Sequence, residues 1–252
     1  MGESWRLVDS GLVRPPESAA MDEAILEAHS EGLVLDTLHF YRRSQPTISL
    51  GYFQKVQEAV NLEECDRRGV ALVRRKSGGS SIYTDPGQLI YGLVVGEDDL
   101  PGEHAEAFRV VCSALAKAIS SFGLVASYKP MNDVEVNGHK VSGNAQLRRK
   151  GSVLVHGTVI LDTNLETMDA VLRPRAVEEG EPKRPSERVA TLGSLMTGLP
   201  PTMLEMKTAV ATEFSKEFDV EFLGSSLSDR EKMLVSEFVH DRYGSNEWTF
   251  RF

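Results

Sequence analysis

The stretch Asn132–Asp162, NDVEVNGHKVSGNAQLRRKGSVLVHGTVILD, constrains this chain most, because it must run out, turn and return. Val134, Val136 and Val141 are apolar and interspersed with polar residues, the pattern of a half-buried strand. Asn137-Gly138 is a strong hairpin signal, since both central residues of the favoured two-residue turn need positive φ. That turn delivers Lys140 just inside the returning strand. Ser142, Gly143, Asn144 and Ala145 are small and let another molecule approach the backbone closely. Lys150-Gly151 then turns the chain into VLVHGTVIL, an apolar run that carries His156 and Gly157. A single cation beside a small-residue strand suggests a site for an anionic ligand. The bland alternative is a solvated hairpin lysine, because Lys is almost never buried unpaired.

A second feature is RRKSGGSSIYT, Arg74 to Thr84, after the strand VALVRR. Two glycines among serines, behind three cations, can form an anion cradle of backbone N–H groups with Arg and Lys supplying charge. The pattern is neither a Walker loop nor a dinucleotide fingerprint. A loose Gly/Ser turn with exposed cations is the competing reading.

Around these features the chain alternates strands and helices. Trp5 to Val8 reads as a short edge strand, and Ser18 as the cap of a helix over Ala19–Ser30. LDTLHFYRR and PTISLGYF read as two strands about the turn Ser44-Gln45-Pro46. Asn61 and Glu64 form a capping box for a helix that Gly69 ends. Gln88–Val95 is an apolar strand, Glu103–Phe122 a helix with apolar residues at helical spacing, and Leu124–Tyr128 a strand. Helices are expected at Leu165–Leu172, Val189–Met196, Pro201–Phe218 and Ser228–Tyr243, with a strand at Val220–Leu223. Arg173–Arg188, rich in Pro, Glu, Lys and Arg, is expected to be a mobile surface loop. Hairpins with segregated helices argue for α+β over a doubly wound parallel sheet.

Composition narrows the function. A formal net charge of −9 argues against a general nucleic-acid binder. No stretch approaches the roughly 20 apolar residues of a membrane span. Two cysteines, Cys65 and Cys112, form neither a metal-ligand spacing nor a disulfide framework, so a cytoplasmic location is expected. Both fall within helical patterns and read as core residues. A chain of 252 residues is long enough for one large domain.

Taken together, RRKSGG, NDVEVNGHKVSGNAQ and VHGTVILD resemble the lipoate-protein ligase A family of the biotin/lipoate ligase superfamily. The resemblance extends to MDEAI, FYRRSQPTISLGYFQ and the terminal RYGSNEW. It implies a mixed, largely antiparallel central sheet flanked by helices. It also implies a single catalytic domain over residues 1–252, with no C-terminal accessory domain. The implied chemistry is ATP-dependent: lipoate or octanoate becomes acyl-AMP, and a carrier-domain lysine then takes the acyl group. Lys140 resembles the family's essential lysine, which contacts the acyl carbonyl and the phosphate. Asp133 resembles the acid that helps hold Mg²⁺. Arg75, Ser77, Gly78, Gly79, Ser80, Ser81, Ile82 and Tyr83 resemble the nucleotide-binding loop. Gly143 and Ala145 fall in the lysine motif, and His156-Gly157 resembles the pair that lines the acyl pocket. For that pair, a satisfied core histidine beside a strand glycine is the competing reading. The implied partners are lipoyl carrier domains, of the 2-oxoacid dehydrogenase E2 or glycine-cleavage H type, with a separate accessory ligase subunit as a further candidate.

Two positions depart from the family pattern. Ser80 stands where the loop usually has a third glycine, and Thr84 where it usually has histidine. These changes motivate a non-catalytic alternative, a lipoyl-binding paralogue or one subunit of a two-part ligase. DPGQLIY is similar to octanoyltransferases of the same superfamily, which use a cysteine thioester and no ATP. Met131, Asn132 and Asp133 occupy the segment where one such subfamily carries its cysteine, and none follows Cys112. The expectation is therefore the ligase, with octanoyl transfer as the alternative.

Overall fold

A computed structural model of the protein describes residues 3–100, 102–174 and 183–252. Both expected turns form: φ is 52° at Asn137 and 78° at Gly138, and 48° at Lys150 and 79° at Gly151. The strands are β1 (Glu3–Val13), β2 (Thr37–Arg43), β3 (Thr47–Leu50), β4 (Ala71–Arg74), β5 (Ile82–Thr84) and β6 (Gln88–Gly96). They continue as β7 (Ala126–Lys129), β8 (Asp133–Val136), β9 (His139–Arg149), β10 (Ser152–Ile160) and β11 (Val220–Ser225). Eight build one sheet in the order β11-β1-β2-β6-β10-β9-β8-β7, and β4-β3-β5 build a second. In the large sheet β1 runs parallel to β11 and β2, and the other pairings are antiparallel. This is the α+β, largely antiparallel sheet flanked by helices that the sequence led us to expect.

Strand alternation assigns the two faces. Leu89, Tyr91, Leu93 and Val95 of β6 join Val153, Val155 and Val159 of β10 on one side. There they pack on the His104–Ser120 helix through Val111, Leu115 and Ile119, and with Met206, Val210 and Phe214 of the Met203–Phe218 helix. On the other side Val94 and Leu154 meet Ile25 and Leu26 of the Pro15–Ser30 helix. That helix also packs Ala24 and Ala28 on Leu234 and Phe238 of the Asp229–Phe238 helix. The candidate site lies on this second side.

Several local expectations change. β1 spans eleven residues and lies inside the sheet, because β11 adds to it in parallel beyond the Met203–Phe218 helix. The turn after β2 does not make a hairpin. β2 and β3 belong to different sheets, so Ser44–Pro46 carries the chain from one to the other. The first helix begins at Pro15, not Ala19, since a proline in the first turn lacks only an N–H that would be unsatisfied anyway. Ser18 lies inside that helix, and its hydroxyl donates to Pro15 O at 2.8 Å. Only Leu192–Leu195 of Val189–Met196 is helical, because Val189 bridges to Lys140. Of the expected mobile loop, Arg173 donates to Val60 O and Ser186 N to Asp169, which ties down its described ends. Arg175 to Pro182 lie outside the described residues.

Candidate active site

A cavity of about 510 Å³ opens between β9–β10 of the large sheet and the small sheet. Ile82, Tyr83, Ile90, Leu154, Ile160 and Met168 supply apolar wall, while Lys140, Arg75, Ser77 and His156 converge on it as polar groups. Such a mixture, largely apolar with a few placed polar atoms, is the usual lining of a small-molecule site. Of the residues expected from sequence, Ser77, Gly79–Tyr83, Arg75, Lys140, Gly143, Ala145, His156 and Gly157 all line this cavity. A larger open groove of about 810 Å³ lies against β1, β11 and the Met203–Phe218 helix. It carries none of them.

Lys140 reaches the cavity along its own strand. Its backbone is clamped on both sides, its N–H donating to Arg188 O at 2.9 Å and its carbonyl accepting from Ala190 N at 3.0 Å. Its Nζ lies 2.6 Å from Asp133 Oδ1. Gly143 makes the room: a Cβ there would stand 2.5 Å from both Cε and Nζ of Lys140. Asp133, expected as a metal ligand, is thus held as the counter-ion of Lys140. Among the described residues no three His, Cys, Asp or Glu side chains group as a metal site.

The Gly/Ser loop is held from within. Arg75 is buried and donates from Nη1 to Ser49 O at 2.8 Å, and from Nη2 to Gly78 O at 2.7 Å and Ser80 O at 2.8 Å. Arg74 is also buried and donates to the carbonyls of Gly51, Tyr52, Gln54 and Thr249. These bonds to carbonyls make both guanidiniums the frame of the loop, and Arg75, expected to offer charge to a ligand, also lines the cavity. Lys76 Nζ instead lies 5.2 Å from the Trp248 ring centre. Gly79 takes φ 86°, which favours glycine, and its carbonyl crowds Gly51, where a Cβ would come within 1.8 Å. Thr84 is buried and donates to Thr47 O across the β5–β3 pair at 3.2 Å.

His156 is satisfied, as the bland reading required, but its partners make it more than a core residue. Its Nδ1 lies 2.7 Å from Asp22 Oδ2, and its Nε2 lies 2.7 Å from Ser77 Oγ. Ser77 in turn accepts from Arg75 Nε at 3.1 Å. Asp22 is buried on the Pro15–Ser30 helix, where Tyr41 donates to Oδ2 at 3.1 Å and His39 Nδ1 stands 3.5 Å from Oδ1. Burial alone would raise its carboxyl. Hydrogen bonds and charge from His156 and His39 prevail, and hold it well below the usual carboxylate range. Gly92 leaves space for this carboxylate, since a Cβ there would meet Asp22 Oδ1 at 2.9 Å. Sequence reasoning missed Asp22 and Tyr41. MDEAI carries part of the resemblance, but an acid inside an apolar helix face gives no local sign of its partner.

On the far side of β9, Asn144 fills the space that Gly157 leaves, where a Cβ would stand 1.9 Å from Asn144 Oδ1. Tyr91 donates to that oxygen at 2.5 Å, and Asn144 Nδ2 donates to Cys112 Sγ at 3.2 Å. Cys112 is therefore beneath the lysine strand, though distant in sequence. Burial, then the Asp133 carboxylate, push its thiol up to about 12. Burial pushes Cys65 up to about 11.

Over residues 14–215 the sequence matches the Lipoyl protein ligase A/B catalytic domain. The chain belongs to that family. Within it, the chain is 32% identical to Octanoyltransferase LipM of Halalkalibacterium halodurans, covering 99% of each protein. It superposes on lipoate-protein ligase A bound with ATP with a TM-score of 0.86 at 26% identity, covering 99% of each chain. It also superposes on the bi-partite lipoate protein ligase of Thermoplasma acidophilum, described with its E2 lipoyl domain, with a TM-score of 0.83 at 26% identity. That match covers 99% of this chain and 96% of the other.

The likeness to octanoyltransferases runs the length of the chain at higher identity than the ligase structures reach, and it overturns the expectation of an ATP-dependent ligase forming an acyl-adenylate. That expectation rests on the missing cysteine beside Lys140, a local feature. The relationship shown by the whole sequence outweighs it. The coarser reading, an acyl-transferring enzyme of this family, stands. No helix among the described residues is long and apolar enough to cross a membrane.

Proposed function

We propose that this protein is an octanoyltransferase, moving a medium-chain acyl group from a thioester donor to the lysine amine of a lipoyl carrier domain. The observation that carries this reading is the likeness to octanoyltransferases LipM along 99% of the chain. The acyl chain takes the apolar wall of the 510 Å³ cavity, where each buried CH₂ contributes about 0.8 kcal/mol. Lys140 offsets the charge that develops on the acyl oxygen as the amine attacks. The glycine-rich loop from Gly78 to Tyr83, braced by Arg75, covers the acyl group and its leaving thiol. In this role the loop needs neither ATP nor Mg²⁺. Residues 1–252 act as one catalytic domain in this reading, and the acceptor is a lysine of an E2-type or H-type lipoyl protein.

The test is mass spectrometry of a purified lipoyl carrier domain after incubation with this protein and octanoyl-CoA, without nucleotide. Octanoylation of one carrier lysine is the expected result. A requirement for ATP together with free octanoate would overturn the reading.

A further inference from the structure

We infer that Asp22, His156 and Ser77 form a proton-accepting chain that takes the proton from the attacking carrier amine. This rests on the acyl-transfer reading above. Three observations support it. The first is continuity, with Asp22 Oδ2 2.7 Å from His156 Nδ1 and His156 Nε2 2.7 Å from Ser77 Oγ. The second is polarity. The buried carboxylate accepts the Nδ1–H, which leaves Nε2 as the acceptor facing the serine hydroxyl. Arg75 Nε donates to the same hydroxyl oxygen, so the Ser77 proton is directed to His156. The third is position. Both His156 and Ser77 line the cavity that Lys140 enters. Lys140 Nζ lies against Gly143, two residues before Ala145, the direct strand partner of His156. Two strand residues span about 7 Å, which sets the scale of the gap that one bound acyl group bridges between Lys140 and His156.

Asp22 also faces a second imidazole, His39, whose Nε2 meets Ser10 Oγ at 2.9 Å. His39 does not line the cavity and its side chain is 0% exposed, against 13% for His156. His156 is thus the member that can exchange protons with a bound substrate.

The neutral carrier amine attacks the thioester carbonyl and a C–N bond forms. Its proton passes to Ser77 Oγ as the serine proton passes to His156 Nε2. The tetrahedral intermediate collapses, the C–S bond breaks, and the leaving thiolate takes the proton back from His156. Ser77 is the catalytic residue here, and His156 and Asp22 act through it. Neither buried cysteine is needed.

The experiment measures steady-state octanoyl transfer from octanoyl-CoA to a carrier domain for wild type, S77A, D22N, H156A and H156Q, with folding checked by circular dichroism. We expect H156A to lower kcat by about 100-fold or more while KM for octanoyl-CoA changes by less than about threefold. Added imidazole should restore H156A in proportion to its neutral form, a response that a purely structural histidine would not show. H156Q, which keeps hydrogen bonds but accepts no proton, should remain slow and should not respond to imidazole. Four results would overturn the inference: wild-type kcat in folded H156Q, loss confined to KM, no rescue of folded H156A by imidazole, or a covalent octanoyl adduct on Ser77 or a cysteine. A wild-type protein that transfers nothing from octanoyl-CoA would instead sink the acyl-transfer reading and this inference with it.

Discussion

Lys140 folds back over Gly143 to reach Asp133, the residue paired with Gly143 across the β8–β9 ladder, and closes to 2.6 Å. The ammonium is therefore held by the protein's own groups, between a counter-ion and a strand with no side chain in the way. Preorganised charge of this kind acts most strongly on the transition state, because it needs no rearrangement as the oxyanion forms.

Replacing Lys140 with Ala should abolish transfer while the fold persists. Loss of one oxyanion-stabilising donor typically costs about 3 kcal/mol or more, roughly a hundredfold in kcat. K140R should not restore it, since a planar fork cannot take the path of a compact ammonium over Gly143. Single-turnover acylation of the carrier, compared with the circular dichroism spectrum, checks both halves of this expectation.

Gly143→Ala tests the same geometry without removing charge. The new Cβ would stand 2.5 Å from Lys140 Cε and Nζ, so the lysine must leave its place beside Asp133. A tenfold or larger fall in kcat, about 1.4 kcal/mol or more, with a small change in Tm is the expected outcome. Wild-type turnover would show that Lys140 works equally well from another position.

How much of this could be read from sequence depends on separation along the chain. The hairpin that presents Lys140 and the β9–β10 turn were legible, because turn chemistry at Asn137-Gly138 and Lys150-Gly151 is local and sets the register by itself. The partner of a strand is not local. Ser44–Pro46 reads as a turn, yet nothing in FYRRSQPTISL states that β2 and β3 enter different sheets. The carboxylate of Asp22 lies 134 residues from the imidazole it holds, and Cys112 lies 32 residues from the asparagine above it. Such contacts depend on the assembled fold. Arg75 shows a related effect: a cation beside glycines reads as a ligand contact, and in the fold it lines the cavity while also donating to the carbonyls of Gly78 and Ser80.

Replacing both Cys65 and Cys112 with Ser should leave transfer nearly unchanged. Their thiols are buried and pushed up to about 11 and about 12, far from the thiolate a relay needs at neutral pH. Cys112→Ser retains an acceptor for Asn144 Nδ2 and should cost only about 1 kcal/mol. Loss of activity in a folded double variant would establish a thioester step. Since the folded thiols titrate above their unfolded value, their contribution to stability is present below about pH 9 and is lost as pH rises further.

Asp22→Asn should flatten the acid limb of the stability curve. The folded carboxyl lies below its unfolded value of 3.8, so the unfolded state binds more protons in acid. Its stabilisation is present above about pH 4 and is lost as pH falls toward the folded value. Below about pH 4 the urea midpoint should fall more steeply for wild type than for D22N, with D22N less stable at pH 7. Parallel curves would mean that the carboxylate is not what holds His156 and His39.

The last expectation concerns the carrier. If the carrier is acidic, a protein with a net charge of −9 needs a local positive patch to dock it, and Arg148, Arg149 and Lys150 are the cations that the sequence puts on the turn beside Lys140's strand. In the structure their charge is already matched. Arg149 lies 2.9 Å from Glu27 and 3.6 Å from Glu23, Lys150 lies 3.1 Å from Glu27, and Arg148 faces Glu97 at 4.0 Å. Glu27 is buried on the Pro15–Ser30 helix and would lose both its cations, whereas Glu23 keeps Arg242 at 3.1 Å and the Tyr243 hydroxyl at 2.6 Å, so the reversal strands one acid next to the site. Reversing all three residues to Glu should therefore lower Tm before it changes docking, and it should slow transfer even to a small neutral-amine acceptor. Single variants separate the effects, because Arg148 is the least tightly paired of the three. A triple variant with unchanged Tm and a raised KM for the carrier alone would return this turn to the docking surface.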